Sequence, residues 1–485
     1  GGAMTRLLII GGSDAGISAA LRAHELDPQT EVSVLLADEY PNYSICGLPF
    51  YLSGETPDHR QLAHRTAFDG IEILTNHRAV SVHPAAKTVD VVRGANGSVK
   101  TLRYDHLVIA TGAVPVRPQG LPGLDLPGVY LLHTMGDGFA VHSRLMGGET
   151  RSAIIIGAGY IGVEMADALR HRGIDVTLVS HTDPVFPSVD PSFGRLIGEE
   201  LSRHGVRVVV GCTVERIEAA DNRRGLTVSG SGGFTASADL VLVATGARPD
   251  TTLAAAAGIA LGPSGAIRVT QRMETTLPGI WAAGDCAETW HRILQRPAYL
   301  PLGTTAHKQG RVAGENAVGG ERLFAGSVGT QTVKVFELAI ARTGLREAEA
   351  RTADFDPVTI ETETWDHKAY YPGAQKLRVR VTGDRRTGRL LGAQILGPWR
   401  SEVSKRIDVF ATALFHGMGV EDLNDLDLSY TPPFGSPWDA VQMGAQAWTS
   451  VMKNEVASCS PPIDPQILGR CARFPLVTLS TRQSG

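Results

Sequence analysis

The chain is poor in cysteine, has no long apolar run and carries no excess of positive charge, and each shortage excludes something. Five cysteines in 485 residues, at Cys46, Cys212, Cys286, Cys459 and Cys471, are too few and too scattered for a disulfide framework or a zinc site. They are expected to be reduced thiols, and no metal site is expected. A net charge of −4 with 20% charged residues leaves no basic surface for nucleic acid, so small-molecule partners are favoured. No segment approaches the ~20 consecutive apolar residues that span a bilayer, and no secretory leader precedes the first strand, so a cytoplasmic protein without membrane contact is expected. Gly-Gly-Ala before Met4 reads as the remnant of a cleaved tag. The length exceeds what one core holds and implies two to four domains of ~100–200 residues.

What is present is a doubled pattern. The apolar run Arg6 to Ile10 leads into Gly11-Gly12-Ser13-Asp14-Ala15-Gly16, a helical pattern through Leu26 and a second strand from Glu31 to Leu36. The run Ala153 to Ile156 leads into Gly157-Ala158-Gly159-Tyr160-Ile161-Gly162, a helix to Arg172 and a strand from Asp175 to Val179. Strand, glycine turn, helix, strand is the dinucleotide-binding order, in which the turn lets the backbone and the helix N-terminus approach a pyrophosphate. The second copy is the cleaner, because Ser13 replaces the middle glycine of the first. Each turn is followed downstream by an apolar strand ending in Ala-Thr-Gly, at Ala110-Thr111-Gly112 and again at Thr245-Gly246. This is an internal repeat, and two modules suggest two dinucleotides. A third signal, "LPGIWAAGDCAE", ends a strand in Gly284-Asp285, where a carboxylate can accept a hydrogen bond from a sugar-like hydroxyl.

Together these features resemble the flavin-dependent pyridine nucleotide-disulfide oxidoreductases from Arg6 to about Trp448. The resemblance implies an α/β fold with two Rossmann-like dinucleotide-binding domains, one for FAD and one for NAD(P)H, plus an α+β C-terminal dimerisation domain. It implies that the first glycine turn and Gly284-Asp285 hold FAD, that the second turn holds the nicotinamide cofactor, and that "LGTTAHKQGRVAGEN", with Thr305, is the helix under the isoalloxazine ring. Expected boundaries are 4–115 and 251–325 for the FAD domain, 116–250 for the NAD(P)H domain, 326–450 for dimerisation and 451–485 for a flexible tail. That tail holds Cys459 and Cys471 in a Pro-rich stretch.

Within "PNYSICGLPFYLSG", Cys46 stands without the second cysteine of two-cysteine members, since Pro49 and Tyr51 occupy those places. The stretch, with Ser44, looks like the single-cysteine branch that includes coenzyme A disulfide reductase, NADH oxidase and NADH peroxidase, so Cys46 is the expected redox centre. A helix starting at Leu48-Pro49 is expected to favour its thiolate at neutral pH. Oxidase and peroxidase members carry a histidine in the first glycine turn where this chain has Asp14, which argues against peroxide chemistry. An asparagine common before the cysteine is Ile45 here, which puts coenzyme A in doubt, while Arg22 matches a basic residue near the nucleotide in that branch. Asp38 or Glu39 is expected at the adenosine ribose of FAD. Ser180-His181 replaces the acid that reads a free ribose in NAD sites, favouring NADPH over NADH. The resemblance further implies a homodimer in which Tyr430, and either Tyr370 or Tyr371, reaches the partner's cysteine. The expected activity is NAD(P)H-dependent reduction of a small-molecule disulfide, persulfide or polysulfide, with an NAD(P)H oxidase or a flavoprotein redox sensor as alternatives.

Overall fold

The computed structural model describes residues 4–221 and 225–459. Two five-stranded parallel sheets carry the two glycine turns. In the first the strand order is Ile280–Ala282, His106–Ile109, Arg6–Ile10, Glu31–Leu35, Ile71–Leu74. In the second, read from the corresponding edge, it is Val129–Leu131, Leu240–Val243, Ser152–Ile156, Asp175–Val179, Arg207–Val209. The orders correspond strand for strand, so the repeat is one of topology. The central strands are apolar on both faces, as Leu240–Val243 with every residue buried illustrates, because helices cover both sides of a parallel sheet.

The first helices along the chain are α1 (Asp14–Leu26), α2 (Leu48–Ser53), α3 (Met135–Met146) and α4 (Tyr160–His171). They are followed by α5 (Pro191–Arg203), α6 (Thr252–Ala256), α7 (Gly303–Ala317), α8 (Glu347–Thr352), α9 (Val403–Phe415) and α10 (Ala440–Cys459). Helices α1 and α4 are the crossover helices of the two glycine turns. Each module also holds a three-stranded antiparallel meander just before its Ala-Thr-Gly strand, one of them His77–His83, Thr88–Arg93 and Val99–Arg103. The outer strand of this meander leaves little trace in the sequence: in Val99–Arg103 no residue is buried, so the period-two alternation that marks a strand is missing, whereas the middle strand Thr88–Arg93 keeps it with Val89 and Val91 buried.

The chain crosses between the modules twice, and both crossings share one antiparallel ribbon, Ala113–Pro115 paired with Ala247–Pro249. The two threonines of the Ala-Thr-Gly motifs fasten it reciprocally. Thr111 Oγ1 donates to the Asp250 carbonyl at 2.7 Å, and Thr245 Oγ1 to the Val116 carbonyl at 3.1 Å.

The C-terminal part is an antiparallel sheet in the order Gln331–Val335, Leu338–Gly344, Leu390–Pro398, Lys376–Asp384, Pro357–Trp365, with α9 and α10 packed on it. Helix α10 runs to Cys459, beyond the expected start of a flexible tail at 451, because Met452 still packs on the core and Lys453 pairs with Glu421 at 3.2 Å. Cys471 lies outside the described residues, as does the Cys459 side chain. Among the described residues no helix is long and apolar enough to cross a membrane.

Helices α1 and α7 lie against one another over the first sheet, and small residues let them approach. A Cβ on Gly310 would sit 2.2 Å from the Ala15 carbonyl oxygen, and one on Gly314 2.2 Å from that of Ala19. Gly310→Val should therefore push the helices apart, at a cost of about 1–3 kcal/mol for overpacking. The expected outcome is a lower melting temperature together with loss of bound flavin, measured by thermal unfolding and by absorbance of the purified protein.

Candidate active site

Both glycine turns are built to admit a phosphate. Gly11 has φ +116° and Gly157 φ +112°, and a Cβ would meet the Ala110 carbonyl oxygen at 1.9 Å and that of Ala244 at 2.1 Å. The turns thus press against their Ala-Thr-Gly strands, which only glycine permits. Gly16 and Gly162 seat the following helices equally closely on Gly11 and Gly157. Neither Ser13 nor Gly159, the residues that precede α1 and α4, makes a side-chain capping bond, so the N–H groups of both helix starts stay available to an anion. This donor set fits the pyrophosphates of FAD and of NAD(P)H.

Other residues expected near FAD converge on the first turn. Gly284 (φ +86°) donates its N–H to Gln309 Oε1 at 2.9 Å, which pins the Gly284-Asp285 corner to α7. Gln309 is fully buried and also donates to the Glu288 carbonyl and to Thr289, yet nothing in its sequence setting marks it. Asp285 is held above the ordinary carboxylate range by burial, a shift opposed by His133 and reinforced by Asp14. Thr305, buried in α7, donates to Ser327 Oγ at 3.2 Å. Asp38 accepts from the Tyr40 N–H at 2.8 Å and is pushed up by burial, while Glu39 is exposed and accepts from the Tyr40 hydroxyl at 3.1 Å.

Cys46 sits in a 3-10 turn, Ile45–Gly47, immediately before α2. The Asn42 N–H donates to the Gly12 carbonyl at 2.9 Å, which ties this loop to the first glycine turn, and the Ser44 N–H donates to the Leu62 carbonyl at 2.8 Å. Below the cysteine, α2 is clamped by the second module. Leu48 fills the space over Gly138 of α3, Tyr51 stacks on His142 at 4.4 Å, and Arg172 at the end of α4 donates to the Leu52 carbonyl.

The thiolate expected of Cys46 is not what this setting favours. The side chain reaches solvent, but it is crowded by protein on its other sides. That burial pushes the thiol above its ordinary value, and the carboxylates of Asp14, Glu164 and Asp285 add to the rise. A helix terminus is worth ~0.3–1 kcal/mol, less than one pKa unit, and α2 has only six residues. The dipole loses to burial and three acids, so the protein's own field holds the thiol form.

Glu164, which carries no mark in the sequence, is the second finding here. It lies on α4 one turn beyond Tyr160, is buried, and is pushed up to about 8 by that burial and by Asp167. Tyr160 itself is raised by burial, then by Glu164 and Cys46, and its hydroxyl donates to the Thr332 carbonyl at 3.2 Å. Tyr160 and Ile161 remain partly exposed on the second turn. At the end of the next strand, Ser180 is buried with its hydroxyl donated to the Thr182 carbonyl at 2.8 Å, so it does not offer itself to a ribose. His181 is exposed, with Nδ1 3.1 Å from Thr213 Oγ1.

Two other expected residues are otherwise engaged. Arg22 pairs with Glu25 at 3.2 Å and with Glu315 at 3.3 Å, so it is not a free cation. The C-terminal tyrosines form a cluster of their own, without a hydrogen bond or ring contact to Cys46 of the same chain. Tyr430 lies beside Tyr370, with the Tyr430 phenol raised by burial and then by Tyr370. Tyr371 instead lies edge-on to His367 at 5.6 Å.

A single thiol over one dinucleotide cradle, with a second cradle clamped beneath it, defines a two-cofactor oxidoreductase. The chain belongs to the pyridine nucleotide-disulphide oxidoreductases: the family's model matches residues 5–310 and that of its dimerisation domain residues 330–440. It is 34% identical over 441 residues to the NAD(P)H coenzyme A polysulfide/persulfide reductase of Pyrococcus horikoshii, covering 90% of this chain and 96% of that protein. Among solved structures it resembles the NAD-dependent persulfide reductase from A. fulgidus (34% identity, TM-score 0.88, 93% of this chain and 84% of that one). It also resembles the water-forming NADH oxidase from Lactobacillus brevis (27% identity, TM-score 0.88, 93% and 100%).

The joint under α2 titrates. His142 is held below its ordinary value by burial and by the neighbouring charges of Arg172 and His59. A histidine with a lowered native pKa binds its proton more readily when unfolded, so its contribution is complete above the unfolded value of ~6.5 and is lost as pH falls below it. His142→Phe, which keeps the stack on Tyr51, should flatten the fall in melting temperature between neutral and mildly acidic pH.

Proposed function

We propose that the protein is a homodimeric FAD enzyme that uses NAD(P)H to reduce a small disulfide, persulfide or polysulfide through Cys46. The observation that carries this reading is the lone, solvent-reaching thiol tied by Asn42 to the first glycine turn. Bound FAD would supply two-electron transfer between nicotinamide and sulfur. The residues that would hold it are Gly11, Gly12, Ser13, Ala15 and Gly16 with Ala110, Thr111 and Gly112 along the pyrophosphate, Asp38 or Glu39 at the ribose, and Gly284, Asp285 and Thr305 along the ribityl chain and ring. Gly157, Gly159, Tyr160, Ile161 and Gly162 would hold NAD(P)H, with Gly246 beside them.

The chain's own residues then have distinct tasks. Cys46 opens the substrate's sulfur–sulfur bond. Its raised pKa means that the nucleophile must be unmasked in the bound complex, not held permanently as an anion. Ser44 and Arg22 flank the substrate's approach. Tyr430, with Tyr370 or Tyr371 beside it, donates to a leaving thiolate of the partner's site, and the interaction of Tyr430 with Tyr370 favours Tyr370 as its companion. The polysulfide/persulfide reductase of P. horikoshii and the persulfide reductase of A. fulgidus favour sulfur substrates, while the L. brevis oxidase keeps an oxidase as the second reading.

Cys46→Ser should retain FAD yet abolish NAD(P)H-dependent turnover of disulfides and polysulfide. A variant that turns over at the parent rate would overturn the assignment, and oxygen uptake surviving in its place would favour the oxidase.

For the nicotinamide cofactor we propose NADPH over NADH by a narrow margin. No acid stands at Ser180-His181 to repel a 2′-phosphate, and His181 is exposed to donate to one, but no arginine clamp accompanies it. The check is the ratio of kcat/KM for the two cofactors. A preference for NADH of tenfold or more, ~1.4 kcal/mol in the other direction, would reverse the choice.

A further inference from the structure

We propose that Arg406 is a positioning residue for the disulfide-reducing step: it braces together the two loops that carry Tyr430 and Tyr370, and so sets the phenols that serve the partner's site. The inference rests on the disulfide-reductase reading, in which Tyr430 donates to the leaving sulfur, and adds to it what holds that donor in place.

Both tyrosines stand on chain without helix or strand. Tyr370 lies between the strands Pro357–Trp365 and Lys376–Asp384, and Tyr430 lies in the stretch 426–439 ahead of α10. Such chain has no ladder of backbone bonds to fix it, so its course depends on the bonds at its ends. Each loop is closed at its neck. In the first, the Asp366 N–H donates to the Gln375 carbonyl and the Gln375 N–H to Asp366 Oδ1, both at 2.9 Å. In the second, Gln442, buried in α10, donates from Nε2 to the Leu426 carbonyl at 2.9 Å, and its Oε1 accepts from the Asp439 N–H at 3.2 Å.

Arg406 reaches both necks from α9. Its Nη2 donates to the Asp366 carbonyl at 2.6 Å and its Nε to Asp439 Oδ2 at 3.3 Å, while Nη1 donates to the Ser401 carbonyl, just ahead of α9, at 2.6 Å. The loops meet again further out, where the Lys368 N–H donates to the Gly435 carbonyl at 3.1 Å and Tyr430 lies beside Tyr370. One guanidinium thus fixes the spacing of the two necks, and the contact of the loops beyond them depends on that spacing.

Core packing does not ask for this residue. Val403, Ile407 and Phe410, its neighbours on α9, supply the apolar contacts. Arg406 itself is only 6% exposed and stands near the N-terminus of α9, where the helix dipole disfavours a cation. Burying it carries a desolvation cost that an apolar side chain of similar size avoids. What the cation supplies in return is a flat head group that serves acceptors on two loops and on the start of its own helix at fixed angles, which a lysine ammonium does not.

The experiment uses the FAD-loaded dimer and two disulfides: coenzyme A disulfide, whose alkyl thiolate needs a donor on leaving, and dithiobis-nitrobenzoate, whose aromatic thiolate departs as a stable anion. Arg406→Gln should lower kcat with the alkyl disulfide by ~10²-fold, as Tyr430→Phe does, and leave the aromatic one and the rate of flavin reduction by NADPH nearly unchanged. In the Tyr430→Phe background Arg406→Gln should cost nothing more, because a brace without a phenol to place has no task. Arg406→Lys, which keeps a cation beside Asp439 but not the fork, should show the same signature at smaller size, and it takes over the test if Arg406→Gln fails to assemble. Equal losses on the two disulfides, losses that multiply in the double variant, or an unchanged alkyl rate in both Arg406 variants would overturn the brace. A Tyr430→Phe enzyme as fast as the parent on the alkyl disulfide would instead sink the reading of the phenol as donor, a result that the Arg406 variants cannot produce.

Discussion

The close contact of α1 with α7 is the constraint on which the site depends. Where Gly310 and Gly314 lie on the carbonyls of Ala15 and Ala19, two helix N-termini are brought to the same end of the first sheet. One presents the glycine turn, the other carries Thr305 and Gln309, and the Gly284-Asp285 corner is bonded between them through Gln309. A side chain at the crossing would meet those carbonyls at 2.2 Å and has to push the groups apart. The small residues of both helices are therefore positional parts of the site, although no functional atom belongs to them.

The electrostatics around Cys46 run against simple expectation. A thiol just ahead of a helix invites a lowered pKa, but three carboxylates and a crowded setting prevail over a helix of six residues. Glu164, pushed up to about 8, relieves part of that burden at neutral pH by staying protonated.

The parts of this architecture legible in the sequence are those governed by local geometry. The glycine turns, their flanking strands and helices, and the Ala-Thr-Gly strands stand where spacing and periodicity put them, because tight turns and parallel core strands restrict residue choice at each position. Cys46 stands out through the resemblance of its flanking motif and the absence of a second cysteine there. The outer strand of the first meander was not legible, since a strand with no buried residue, as Val99–Arg103 is, has no pattern to show. Glu164 and Gln309 were equally silent: each matters through a partner far away in the chain, and one residue type in a helical run does not announce which distant carboxylate or backbone group it will meet. Ser180 and Arg22 show the converse: polar residues where the sequence expects them, whose side chains are also engaged by neighbours that the sequence does not announce.

The shared ribbon of Ala113–Pro115 and Ala247–Pro249 has an engineering consequence. Both ends of the segment between these strands leave the first module side by side, hydrogen-bonded to one another and latched by Thr111 and Thr245. Such a segment enters and leaves the first module through a single plug. It could be exchanged whole without re-threading the first sheet, provided the exchange keeps the residues of α3 and α4 that grip α2 and those that meet the C-terminal sheet, such as Asp190, which pairs with Arg380 at 2.9 Å, and Asp167, which accepts from the Phe336 N–H at 2.9 Å. The boundary for grafting is therefore easy to cut at the ribbon and demanding at the two faces that the segment shares with the rest of the chain.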